Sequence, residues 1–231
     1  GVGSLVKRVK FRITMRNVVY IPFSMVRDVP WIRLVMSHGS LLMYVQKMCN
    51  ASGTKFSEEL FNEVYAQFID IRLDHDFEYW AYTTVNIIDK NSGDPIPFKL
   101  NLPQRKLVNR FEIRRMAGKP IRVIVCKARQ WGGSTVTQIY MAWIQIRIKT
   151  NWNSVVIAAV EDQSRNIRGM FTALADSYPE NMAYDLNGDV IKKLKLIPFE
   201  GSSKTRKIQG RNCLIGISSI EKPENTRSFD Y

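Results

Sequence analysis

The chain has 231 residues, 45% of them hydrophobic and 24% charged, enough for one large domain or one domain with a smaller attachment. Thirty-four Lys and Arg against 21 Asp and Glu leave a net charge of +13, which favours polyanions, nucleic acid foremost. Composition argues against a disulfide framework or a zinc module, because Cys49, Cys126 and Cys213 are odd in number and form no CxxC pair, and His38 and His75 have no metal-ligand spacing.

Elements follow in chain order. No run reaches the ~18 apolar residues of a membrane span, and "GVGSLVKRVKFR" lacks the apolar core of a signal peptide, so an intracellular, reducing setting is expected. "LVKRVKFRITMRNVVYIP" alternates apolar and basic residues and reads as an edge strand protected by its charges. "VPWIRLVMSHGSLLMYVQKMC" reads as helical pieces broken at 38–40, and polar "NASGTK" marks a boundary at 50–55. Ser57, followed by Glu58 and Glu59, starts a helix whose Leu60, Phe61, Val64, Tyr65 and Phe68 recur at helical spacing. A second helix starts at Asp76, and its Phe77, Tyr79, Trp80 and Tyr82 fit a core better than a base-stacking platform. "DKNSGDPIP" reads as a loop.

Beyond residue 98 the pattern changes. "KLNLPQRKLVNRFEIRRMAGKP" is a basic helix stopped at Gly118–Pro120. "IRVIVC" (121–126) and "SVVIAAV" (154–160) are short apolar runs, expected as strands buried on both faces of a parallel sheet, with Cys126 a small core residue. Helices are expected over about 134–149 and 161–178. Residues 185–211 look like an insertion with two short strands, and "NCLIGISS" (212–219) is a third buried strand, with Cys213 in the core. This order predicts an α/β fold, a parallel sheet flanked by helices, with a mostly helical N-terminal part. The expected divisions are 1–55, an N-terminal segment; 56–97, a helical lead-in; and 98–231, the sheet-containing core.

The chemistry concentrates in "KARQWGGST", residues 127–135, between an expected strand and an expected helix. The usual phosphate loop, GxxxxGK[ST], uses glycines for close backbone approach, a lysine for the β- and γ-phosphates, and a hydroxyl for magnesium. In that frame Lys127 stands at the first glycine, Gly132 at the second, Gly133 at the lysine and Ser134 at the hydroxyl, so two of the four positions differ. Lys127 can supply the missing cation by folding its stem over the loop, with Arg129 as a second clamp. The competing reading is a plain strand–turn–helix junction with solvated charges.

This segment resembles the Walker A region of the large terminase subunits of tailed bacteriophages, ATP-driven motors that package DNA into procapsids. The match rests on the Arg129–Gln130 pair before the glycines and on a displaced lysine at Lys127, as in members with a deviant loop. "DFEYWAYTTVNIIDKNSGDPIPFKLNLPQRKLV", "NSVVIAAVEDQSRNIRGMF" and "SSIEKPENTRSFDY" resemble further segments of that family, so the resemblance spans about residues 76–231. It implies a P-loop NTPase fold binding ATP and Mg²⁺. The implied contacts are Gln104 on the adenine side, Lys127 and Arg129 on the phosphates, and Gln130, Trp131, Gly132, Gly133, Ser134 and Thr135 around the nucleotide, with the Ser134 hydroxyl on magnesium. The family's Walker B strand, coupling motif and nuclease domain have no counterpart in the sequence, which is therefore expected to be a fragment whose catalytic site is incomplete. Implied partners are double-stranded DNA, a homo-oligomeric ring, the portal protein and the small terminase subunit, in the host cytoplasm at the procapsid, with no membrane. The alternatives are a basic DNA-binding or scaffold module with a degenerate loop, and a helicase-type ATPase.

Two basic clusters complete the reading: Arg105, Lys106, Arg110, Arg114, Arg115 and Lys119 on one helix and its end, and Lys192, Lys193, Lys195, Lys204, Arg206, Lys207 and Arg211 in the insertion. Either can track a nucleic-acid backbone, form subunit contacts, or be a solvated face. Glu161 and Asp162 either face the nucleotide or simply open a helix.

Overall fold

The computed structural model describes residues 30–126 and 131–221. The expected N-terminal edge strand, and Lys127, Arg129 and Gln130, lie outside the described residues. The chain divides into two compact units, Gly1–Thr83 with Lys99–Trp131, and Thr84–Phe98 with Gly132–Tyr231.

The first unit is helical among its described residues: α1 (Pro30–Ser37), α2 (Leu41–Ser52), α3 (Glu58–His75), α4 (Phe77–Thr84) and α5 (Leu102–Met116). The break read at 38–40 is real, because Ser40 caps α2 by accepting the Met43 amide at 3.2 Å. Ser57 caps α3 in the same way through the Leu60 amide at 3.1 Å, while Glu58 and Glu59 meet the positive helix end and Arg72 and His75 the negative one. Asp76 joins two helices: its amide donates to Arg72 O and its carboxylate accepts the Tyr79 amide at 3.1 Å. Burial pushes the Asp76 carboxyl above its ordinary value, opposed by the Arg72 guanidinium 3.1 Å away. Phe77, Tyr79 and Trp80 are buried, which leaves none of the three as a base-stacking surface.

The second unit opens with a hairpin of β1 (Asn86–Ile88) and β2 (Pro95–Pro97), so part of the segment expected to be loop is strand. Helix α6 (Gly133–Trp143) runs directly into a π-helical turn, Ile144–Ile148. Then come β3 (Ser154–Ala158), α7 (Glu161–Ser177), β4 (Leu196–Phe199), β5 (Ser202–Ile208) and β6 (Cys213–Ser219), with strand order β3-β6-β5-β4.

The α/β class holds, but the sheet is mixed and not wholly parallel. Only β3 and β6 run parallel, while β6–β5 and β5–β4 are antiparallel. Connection length explains this. Glu200 and Gly201, with φ of 49° and 71°, form the tight two-residue link from β4 to β5, and so short a link joins only antiparallel neighbours. The route from β3 to β6 is long enough to include a crossover helix, α7. Strand β6, paired on both edges, carries the buried run read from the sequence, and Cys213 is fully buried. Helix α7 packs on β3 and β6, with Phe171, Leu174 and Ala175 buried and Arg168 donating to Ile217 O at 2.9 Å.

One expected strand is absent. Residues 121–126 form no strand and are exposed, Ile124 at 94%, and Cys126 is an exposed thiol instead of a core residue. An apolar run becomes a strand only where a neighbour satisfies its amides and carbonyls. No described strand pairs with 121–126.

Candidate nucleotide site

The centre of the candidate site is the start of α6. Gly132 takes the left-handed conformation, φ 81° and ψ 21°, at the cap position, where a residue with a Cβ is strained. Val136 closes the first turn by donating to Gly132 O at 3.0 Å, and Thr137 Oγ1 donates to Gly133 O at 2.8 Å. Because the cap is a glycine, it brings no side-chain acceptor to the first-turn amides. Gly133 is buried, Thr135 half-buried and Ser134, the residue assigned to magnesium, exposed. The inner face of α6, with Val136, Ile139, Tyr140 and Trp143, is buried as its spacing required.

The far end of this helical stretch is held in place by polar contacts. Gln145 is fully buried; its Nε2 donates to Trp152 O and Leu214 O, each at 2.9 Å, and its Oε1 accepts Ser154 Oγ at 3.1 Å. Arg211, 4% exposed, donates to Gln145 O at 2.6 Å, Lys149 O at 2.8 Å and Tyr184 O at 2.6 Å. A guanidinium against helix-terminal carbonyls is favourable both as a hydrogen-bond fork and against the helix dipole. This removes Arg211 from the basic surface to which its sequence context assigned it. Nothing in "QGRNCL" marks the arginine as buried, so sequence reasoning had no signal for its role.

In the first unit the structure brings together two more predicted residues. Asn101 and Gln104 form a capping box on α5, with Gln104 N–H donating to Asn101 Oδ1 at 3.0 Å and Asn101 N–H donating to Gln104 Oε1 at 2.9 Å. Asn101 Nδ2 also donates to Trp131 O at 3.1 Å. Gln104 and Trp131 are thus both hydrogen-bonded to Asn101, which the sequence reading did not single out although N-x-x-Q before a helix is a capping signature.

At the C-terminal ends of β3 and β6, the region where open α/β sheets carry ligand sites, Glu161 opens α7. Its Oε1 pairs with Arg168 at 2.8 Å, and its Oε2 accepts Ser219 Oγ at 2.9 Å and lies 3.5 Å from Lys204. The Arg168 contact first, then Ser219, Ser164 and Lys204, hold its carboxyl down to about 2, so it stays ionised at neutral pH. Its oxygens serve α7, β5 and β6; Asp162 is exposed and pairs with Arg165 on the same helix.

Among the described residues no group of three His, Cys, Asp or Glu side chains is placed to hold a metal, and no helix is long and apolar enough to cross a membrane. Magnesium needs no protein cage, because it keeps several waters and binds chiefly through substrate phosphates, so one exposed serine is compatible with it. Compared with known proteins, the chain matches no family model, and no curated protein matches its sequence.

Proposed function

We propose that this chain is the ATP-binding part of a DNA-packaging motor of the large-terminase kind, with triphosphate docking at the amino end of α6. The carrying observation is that end itself: paired glycines, the first left-handed, lead into a helix with Ser134 exposed, on an α/β unit. Backbone amides at such a helix start attract phosphate oxygens through both hydrogen bonds and the helix dipole. In this reading Lys127 and Arg129 neutralise the phosphates, and Ser134 holds magnesium with them. The metal, when bound, neutralises charge on the β- and γ-oxygens.

Calorimetry with ATP, with and without magnesium, tests this. Weak magnesium-dependent binding is expected, and Lys127→Ala abolishes it; unchanged binding by that variant removes the lysine from the site. Ser134→Ala is expected to lower the magnesium dependence more than the binding itself.

A specific observation favours a second reading. The run 121–126, which leads into the loop, is exposed and forms no strand. A loop without its supporting strand suits a DNA-binding or scaffold module that no longer holds nucleotide. That module binds DNA in a salt-sensitive way and shows no thermal shift with ATP. A helicase-type ATPase is distinguished by strand separation in the complete protein.

A further inference from the structure

We propose that the solvent face of α5 is a nucleic-acid surface on which Lys106, Arg110 and Arg114 follow the phosphates of one strand. This rests on the DNA-handling half of the preceding reading and not on nucleotide binding. The three residues recur at intervals of four and are all exposed. At about 1.5 Å of rise per residue the ladder is about 12 Å long. A duplex strand advances about 3.4 Å per phosphate, so the ladder spans roughly three to four phosphates.

What surrounds the ladder sharpens the inference. The other two cations of this helix are occupied: Arg105 pairs with buried Glu78 at 2.6 Å, and Arg115 with buried Glu112 at 2.7 Å. Glu112 is the only acid in α5, so no carboxylate of this helix offsets the ladder. Like charges four residues apart repel and weaken a helix, and the first turn has no acid to complement the dipole. A polyanion relieves that repulsion. Arg114 Nε donates to Pro120 O at 3.2 Å, which ties its side chain to the chain beyond the helix.

An anionic membrane fits less well. A helix that lies in a bilayer surface needs a continuous apolar stripe to insert, whereas in α5 Leu107, Val108 and Phe111 are buried and the exposed apolar residues, Leu102 at one end and Ile113 and Met116 toward the other, leave none along the ladder. The insertion cluster of the second unit is the weaker candidate, because Arg211 is consumed by backbone carbonyls and Lys204 lies against Glu161.

The test is fluorescence anisotropy of the 231-residue chain with a labelled 30-base-pair duplex, without nucleotide, over a sodium chloride series. Neutralising all three residues (K106Q/R110Q/R114Q) is expected to lower the salt slope by about 2.7 and to weaken binding about 100-fold at low salt. The single variant R110Q lowers the slope by about one. The same charge change elsewhere (K192Q/K193Q/K195Q) is expected to cost about threefold or less, and the α5 triple variant should melt no lower than the wild type because repulsion is removed. The proposal is overturned if both triple variants lose binding equally, if the α5 variant binds as wild type, or if the wild type binds phosphatidylserine vesicles through this face and not DNA. Because no ATP is present, failure of the nucleotide assignment leaves this outcome untouched.

Discussion

Arg211→Ala removes a buried cation whose three hydrogen bonds end on Gln145 O, Lys149 O and Tyr184 O. A buried acceptor left without a donor costs about 1–3 kcal/mol, so three such losses bound the effect at roughly 3–9 kcal/mol. Alanine vacates enough room for water to reach some of those carbonyls, which brings the expected loss to about 3–5 kcal/mol. Arg211→Met fills the space without supplying a donor and should cost at least as much. Arg211→Lys keeps the charge but replaces a planar fork by a single ammonium, and should fall between alanine and wild type. Urea unfolding measures the order, and hydrogen exchange at the π-helical turn assigns the loss to the second unit. A loss below about 1 kcal/mol for alanine, or a lysine variant as stable as wild type, refutes the claim that this side chain fastens the helix to the sheet.

Gly132→Ala places a Cβ at a φ of 81° and should cost about 1–2 kcal/mol, read as a lower melting temperature. Asn101→Ala breaks the capping box on α5 and the bond to Trp131 O, with an expected loss of about 1 kcal/mol; an unchanged urea midpoint would mean the cap contributes nothing. The folded pKa of Glu161, about 2, lies below its ordinary 4.5, so its contribution to stability is fully present above pH 4.5 and is lost as pH falls toward 2. Glu161→Gln should therefore flatten the acid limb of melting temperature against pH in that window, and an unchanged limb contradicts the assignment.

Local chemistry was legible where it is written in adjacent residues. Ser57 with Glu58 and Glu59, and the glycine-terminated basic helix, announce themselves because caps and dipoles act within a turn. The buried run of β6 and the helical stripe Val136–Ile139–Tyr140–Trp143 follow from the apolar pattern, whereas 154–160, expected to be buried on both faces, gives β3 at the edge of the described sheet with Ile157 exposed at 59%. Pairing direction was not legible, because it depends on which strand lies alongside, and the 200–201 link decides that for β4 and β5. Charge was legible as a total and not as a distribution. The same letter code covers Arg211, sealed against three carbonyls, and Arg110, exposed in a ladder of cations. At the candidate site the glycines and hydroxyls were readable, whereas the fastening of α6 by Gln145 and Arg211 was not, since their partners lie up to 69 residues away.

The run 121–126 is apolar enough for a buried strand, yet it is exposed and forms none. As a strand buried on both faces it would place Ile124 in a core, and a lysine there would strand a charge in apolar surroundings, which proteins tolerate only with severe destabilisation. With Ile124 exposed at 94%, flanked by Ile121, Val123 and Val125 at about 40% each, Ile124→Lys should change stability by less than about 0.5 kcal/mol. The same substitution should raise solubility, because an unpaired apolar run of high β-propensity invites edge-to-edge association. Ile217→Lys in β6, 2% exposed, is the control that should unfold the second unit. If Ile124→Lys is as damaging as that control, the run is buried in solution and the strand expected before the glycine loop exists after all.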